Sequence, residues 1–216
     1  MTAAPPSPSD IRSAVSARYG ALSSGCCSLS CGSALDLAAP VPGETVVDLG
    51  CGRGQDVVRA AGRVGAEGLA IGVDLSDEML ERARHTIPPF LANVRLVRSD
   101  LAALDLPDGV ADVVVSNCTI NHAPDKAAVY REIGRILKPG GRFVVSDVVA
   151  EAALPDHVRN DPAAWAACYG GAIPEAEYLA AAREGGFTEL RVLERSAPYD
   201  KGGVKVLSLT LKGTKP

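Results

Sequence analysis

The stretch Thr45–Asp56, TVVDLGCGRGQD, constrains this chain more than any other. Its β-branched opening, Thr45-Val46-Val47, reads as a buried strand. The chain then turns through Asp48-Leu49-Gly50-Cys51-Gly52-Arg53-Gly54, and a helical pattern begins over Asp56–Ala61. Strand, glycine turn and helix in that order put a ligand site at the carboxyl end of a strand in an open α/β sheet. Glycine lets the backbone approach a ligand closely because it has no Cβ.

The alternation continues downstream. Leu69–Val73 is a strand that ends on Asp74, and Ser76 caps the helix that follows, with Asp77 and Glu78 suited to its positive end. Val94–Val97 precedes Ser99-Asp100-Leu101. Val110–Ser116 is apolar through Val113, Val114 and Val115, as expected where both sheet faces are covered. A helix over Lys126–Leu137 and a strand over Arg142–Val149 follow. Then come an insertion over Pro155–Gly171, a helix over Glu175–Glu184, and strands over Leu190–Arg195 and Val204–Leu211, joined by a loop into a hairpin-like ending. Upstream, Ile11, Val15 and Tyr19 have helical spacing with Ser9 as the expected cap, and Ser33–Ala39 reads as a short helix. The pattern predicts one α/β domain with a mostly parallel sheet.

Composition narrows the partners. The 216 residues, 47% hydrophobic, suffice for one full core. A net charge of -4 argues against nucleic acid. No apolar run reaches the roughly 20 residues that span a bilayer, so no membrane partner is expected. The polar opening MTAAPPSPSD lacks the apolar core of a signal peptide, and the chain reads as cytoplasmic. Its six cysteines, Cys26, Cys27, Cys31, Cys51, Cys118 and Cys168, therefore read as thiols.

A glycine turn alone is weak evidence, and its bland alternative is a tight turn without a ligand. The carboxylates decide. Asp74, about 20 residues on, is placed to bind ribose hydroxyls. Asp100 is placed to accept from an adenine amino group, with Leu101 against the ring. Asp48 would attract a cationic ligand and repel a pyrophosphate. S-adenosylmethionine, which carries a sulfonium and an ammonium, satisfies all three. Gly50, Cys51, Gly52, Leu75, Met79 and Asn117 complete the candidate cofactor-binding set, Cys51 through its backbone.

VVDLGCGRG, GVDLSDEML, RSDL, LPDGVADVVVSN and RILKPGGRFVVSD, taken together over about Glu44–Asp147, resemble the class I S-adenosylmethionine-dependent methyltransferases. The resemblance implies a Rossmann-like, mostly parallel seven-stranded sheet with an antiparallel last strand and helices on both faces. Cys118 follows the fourth strand, at the sheet edge where a transferred methyl should point, and Cys168 lies in the insertion that could cover it. With Cys31, three thiols from three segments could converge, a set suited to a thiophilic ion.

SNCTINHAPDKAAVYREIGRILKPGG, with SDVVAEAALPDHVRNDPAAWAACYGGAI after it, resembles the arsenite S-adenosylmethionine methyltransferases. The resemblance implies that Cys118 and Cys168 bind trivalent arsenic. Leu29-Ser30-Cys31-Gly32 resembles that family's N-terminal cysteine segment, and Tyr19-Gly20 its tyrosine segment near the cofactor. Residues 1–43 would then cap a methyltransferase domain over 44–216, with the substrate-binding insertion near 150–175. Arsenic held by thiolates keeps a lone pair that can attack the sulfonium methyl in line, with no general base. The enzyme's main work is then positioning and water exclusion. Pentavalent products would need a thiol reductant, supplied by Cys26, Cys27 and Cys31 or by external glutathione or thioredoxin.

Blander readings stand beside these. Cys31 serves equally as arsenic ligand or redox thiol. Cys26 and Cys27 are as well read as a scavenging or redox pair, and their spacing lacks the paired C-x-x-C of zinc sites. His122 stands where an apolar residue is expected and reads as a loop residue. Two other functions fit: methylation of a small organic acceptor, with structural cysteines, and non-catalytic thiol binding of arsenic or heavy metals beside a decayed cofactor site. Intact Asp48, Gly50, Gly52, Asp74 and Asp100 argue against the last.

Overall fold

The structure, a computed structural model, describes residues 6–22 (backbone alone for 19–22) and 33–216. Eight strands form one sheet: β1 (Thr45–Leu49), β2 (Leu69–Asp74), β3 (Val94–Arg98), β4 (Ala111–Asn117), β5 (Leu137–Ala150), β6 (Leu190–Arg195), β7 (Tyr199–Lys201) and β8 (Val204–Thr214). Their order is β3-β2-β1-β4-β5-β8-β6, and β7 pairs with β8 off that path. The pairings among β1 to β5 are parallel, and β8 runs antiparallel to β5, β6 and β7. The expected seven-stranded sheet is therefore present as the main path. The loop expected before the last strand adds β7 as a short eighth.

The apolar run of β4 serves two cores at once. Val113 and Val115 join Val46, Ala70 and Val144 on one face, while Val114 joins Val47, Ile71 and Val145 on the other. Successive strand residues point to opposite faces, so a run covered on both sides is apolar at consecutive positions. The first face is covered by α2 (Ala34–Ala38) and α3 (Gln55–Val64), the second by α5 (Lys126–Ile136) and α8 (Glu175–Glu184). Tyr130, Phe143, Tyr178 and Phe187 interlock on that second face, with the rings of Phe143 and Phe187 4.7 Å apart and edge-on.

Some boundaries differ from expectation. β5 begins at Leu137 rather than Arg142, because Leu137 already pairs with Ala111 before the register shifts toward Val113 and Arg142. α1 (Pro8–Leu22) starts before Ser9, which is therefore not its cap. Ser7 fills that role: its Oγ accepts from Asp10 N at 3.2 Å, and the Asp10 carboxylate accepts from Ser7 N at 3.0 Å. That reciprocal pair is a capping box, and Pro8 sits in the first turn, where no N–H is needed. α4 (Asp77–Thr86) starts as expected, with Ser76 Oγ accepting from Met79 N.

The insertion folds into two short helices, α6 (Asp156–Arg159) and α7 (Pro162–Ala166). α1 packs on α7. Among the described residues no helix is long and apolar enough to cross a membrane.

Candidate functional site

Strand order reverses at the β1–β4 boundary, where ligands bind in open α/β sheets. The glycine turn sits there. Gly50 has φ +75°, and a Cβ on it would overlap the Thr119 side chain beyond β4. Gly50 N and Cys51 N donate to Val73 O at 2.8 and 2.9 Å, which ties the turn to the end of β2. Asp74 is fixed from both sides, its Oδ2 by Gly52 N and its Oδ1 by Ser76 N, each at 2.9 Å.

Asp48 is buried at 5% exposure beneath the turn. Burial, then repulsion from Asp56 and Asp74, holds its carboxyl well above the usual carboxylate range. Asp74 is raised as well, by burial, against the lowering effect of its backbone donors. Asp56, in the first turn of α3, accepts from Arg59 at 2.7 Å and from Asn117 Nδ2 at 3.1 Å.

A cavity of about 270 Å3 opens beside this turn. Gly50, Asp74, Leu75, Asp100, Leu101 and Thr119 line it, and α1 contributes Pro8, Arg12 and Val15 from above. Arg12 Nη1 donates to Asp100 Oδ2 at 2.7 Å, and Ala102 N donates to Asp100 Oδ1 at 2.9 Å. Both oxygens of Asp100, expected to meet an adenine amino group, thus already have donors. Met79 and Cys51 are both buried, and neither lines the cavity. The Tyr19 side chain, Cys26, Cys27 and Cys31 lie outside the described residues.

Cys118 and Cys168 meet although 50 residues separate them. Cys118 N extends the β4–β5 ladder by donating to Ser146 O at 2.8 Å. The backbone then enters the left-handed region, with φ +55° at Cys118, and Cys168 has φ +66°. Left-handed backbone at a residue other than glycine is strained and needs its surroundings to hold it. Both residues carry thiols and are buried. The Cys168 thiol lies 3.5 Å from Cys118 O and 3.3 Å from His122 Nε2. His122, from the 3-10 turn Ile120–His122, also lines the 270 Å3 cavity.

Asn121 fastens the two loops. Its Nδ2 donates to Val148 O and, at 3.4 Å, to Cys168 O, while its backbone N donates to Asp147 Oδ2 at 3.0 Å. Gly171 makes the approach possible, since a Cβ there would overlap Asn121 O. A second cavity, about 570 Å3, includes Cys118 with Ser146, Asp147, Glu194 and Thr210. Ser33 Oγ, where the described chain resumes, donates to Glu194 on that wall at 2.9 Å. Among the described residues, no cluster of three or more His, Cys, Asp or Glu could hold a metal ion.

Sequence reasoning missed Arg12, Val15 and Thr119 as cavity residues, and His122 as a neighbour of the Cys168 thiol. The apolar spacing of Ile11, Val15 and Tyr19 could have shown that a helix face was seeking a surface. Nothing in the residues around His122 marked its partner.

The profile of the family described as "Methyltransferase domain" matches residues 40–195. The arsenite methyltransferase of Halobacterium salinarum is 37% identical over 202 residues, covering 87% of this chain and 51% of that protein. The arsenite methyltransferase of Aquipseudomonas alcaligenes is 41% identical over 196 residues, covering 86% and 53%. The chain thus spans about half the length of these relatives. The crystal structure of an arsenic(III) S-adenosylmethionine methyltransferase from Chlamydomonas reinhardtii superposes with a TM-score of 0.74 at 31% identity, over 97% of this chain and 74% of that one. The chain belongs to the class I S-adenosylmethionine-dependent methyltransferases and, within them, to the arsenite methyltransferase family.

Proposed function

We propose that this chain transfers methyl groups from S-adenosylmethionine to trivalent arsenic held by its own thiols. The observation that carries the reading is the meeting of Cys168 with the Cys118 loop, beside a cavity suited to the cofactor.

The residues around that cavity fit the cofactor. Leu75, Leu101 and Ala102 offer apolar surface to an adenine ring, and Asp74 is anchored for a ribose. A positive ligand near Asp48 would restore the charge that burial and its neighbours discourage. Bound there, S-adenosylmethionine supplies an electrophilic methyl group. The chain's own task is to hold the acceptor in line with it and keep water out. Cys118 and Cys168 serve as arsenic ligands in this reading. Cys31, which lies outside the described residues, is the third ligand in this reading, as the resemblance of Leu29-Ser30-Cys31-Gly32 to the family's N-terminal cysteine segment implies.

Residues 1–43 act as the cap and 44–216 as the methyltransferase domain, with the insertion supplying Cys168. A thiol reductant such as glutathione or thioredoxin returns arsenic to the trivalent state in this reading. The test is incubation with arsenite, S-adenosylmethionine and a thiol, with arsenic speciation of the products. Methylated arsenicals are expected, and their absence overturns the reading.

A further inference from the structure

We propose that His122 is the proton acceptor for the Cys168 thiol when that thiol captures a trivalent arsenical, an inference that rests on the arsenic reading above. The geometry leaves the ring little choice. His122 lies 3.0 Å from Trp165 O through Nδ1 and 3.3 Å from the Cys168 thiol through Nε2. A carbonyl oxygen only accepts, so Nδ1 carries the hydrogen. In the neutral ring Nε2 is then a lone pair aimed at sulfur.

One carbonyl fixes both partners. Trp165 O also accepts from Cys168 N at 2.9 Å, so ring and thiol are held to the same atom. Trp165 is anchored in turn, with Nε1 donating to Arg159 O at 2.8 Å. The Cys168 thiol also approaches Cys118 O at 3.5 Å, but imidazole nitrogen is closer and more basic than an amide carbonyl. The backbone at Cys168 is left-handed, so the loop accepts strain to keep the sulfur there.

The chemistry needs such an acceptor. Arsenic(III) arrives carrying hydroxide or a small thiolate. An arsenic–sulfur bond to Cys168 forms, the S–H bond breaks, and the bond from arsenic to its former substituent breaks. The proton is handed from sulfur through Nε2 to the departing group in the same step, so that no charged imidazolium has to persist in this buried place, and the group leaves as water or as a thiol. No oxidation state changes. The methyl transfer that follows needs no base, so the proton step belongs to capture.

The test reads the thiol without arsenic. The full-length chain, His122→Gln and His122→Leu are pulsed with iodoacetamide, and alkylation of the Cys168 and Cys118 peptides is followed by mass spectrometry. Cys168 should react about tenfold or more slowly in both variants, with Cys118 unchanged. A Cys168 rate that is unchanged or faster overturns the proposal, and a rise shared with Cys118 assigns His122 to packing instead. In the unaltered protein, the 15N shifts of His122 should show hydrogen on Nδ1 and none on Nε2. The opposite tautomer overturns the proposal too. Failure here leaves methylation of arsenite standing, whereas a speciation assay without methylated arsenic removes the arsenic reading and leaves the alkylation pattern intact.

Discussion

The walls around Gly50 and around Cys168 lie close together, yet the chain builds them by different means. At Gly50 one contiguous stretch supplies strand, turn and helix, and backbone groups do most of the fastening: Gly50, Cys51, Gly52 and Ser76 N–H groups close the turn and hold Asp74. At Cys168 two loops far apart in sequence are pressed together. The fastening passes through Asn121, His122 and the carbonyl of Trp165. The first wall uses glycine where the backbone is left-handed, while the second puts cysteine there. The first wall is local and free of strain, while the second accepts strain to place a thiol at a particular point.

The sharpest way to break this comparison is Cys118→Ser. If the acceptor side is a separate chemical unit, arsenite methylation should fall below about 1% of the unaltered protein. S-adenosylmethionine affinity, read by calorimetry, should not change. Arsenite methylation that survives the substitution would show that Cys118 is not an arsenic ligand and that its thiol is structural.

Gly50→Ala probes the other wall. A left-handed alanine and an overlap with Thr119 together should destabilise the fold by about 2–4 kcal/mol in urea unfolding. Loss below about 1 kcal/mol would mean that the turn is not held as described, and that its strain-free character is not what fixes the donor side.

Legibility divided along the same line. The sheet could be read because Val113, Val114 and Val115 had to serve two faces and because Asp48, Asp74 and Asp100 fall at strand ends. Ser7 was overlooked in favour of Ser9, although Ser7-x-x-Asp10 carries its own signature. His122 was unreadable for a physical reason. Its partners are a backbone carbonyl and a sulfur 46 residues away, and the tertiary fold alone brings them together. Arg12 is similar, since its ion pair with Asp100 spans 88 positions.

Acid should expose the cost of that tertiary site. Burial, reinforced by Lys126 and other cations, pulls the His122 ring from its usual 6.5 down to about 4. Its stabilising contribution is complete above 6.5 and is lost as pH falls through 4. Relative to His122→Gln, the unaltered protein should lose about 2 kcal/mol between pH 7 and pH 5 in urea unfolding. Asp147 acts in the opposite sense. Burial raises it from 3.8 to about 6, so its contribution is complete below 3.8 and is lost as pH rises through 6. The variant, left with Asp147, should therefore gain about 1 kcal/mol over the same interval. Parallel curves would show that the ring is solvated and the acceptor wall looser than described.

The smallest effect separates strain from chemistry at Cys168 itself. At φ +66° alanine keeps the Cβ that crowds a left-handed backbone, while glycine does not. Cys168→Gly should therefore be more stable than Cys168→Ala by about 1 kcal/mol, the reverse of the order on an ordinary helix. Both variants lose the thiol, so both should fail to methylate arsenite. Equal stabilities would mean that the loop relaxes once the sulfur is gone, and that the thiol's contacts with His122 and the Cys118 carbonyl hold the backbone in place. A glycine advantage that persists would place the strain in the packing of Asn121 against Gly171. The acceptor loop would then be set before any arsenical arrives, by the same kind of backbone contact that shapes the turn at Gly50.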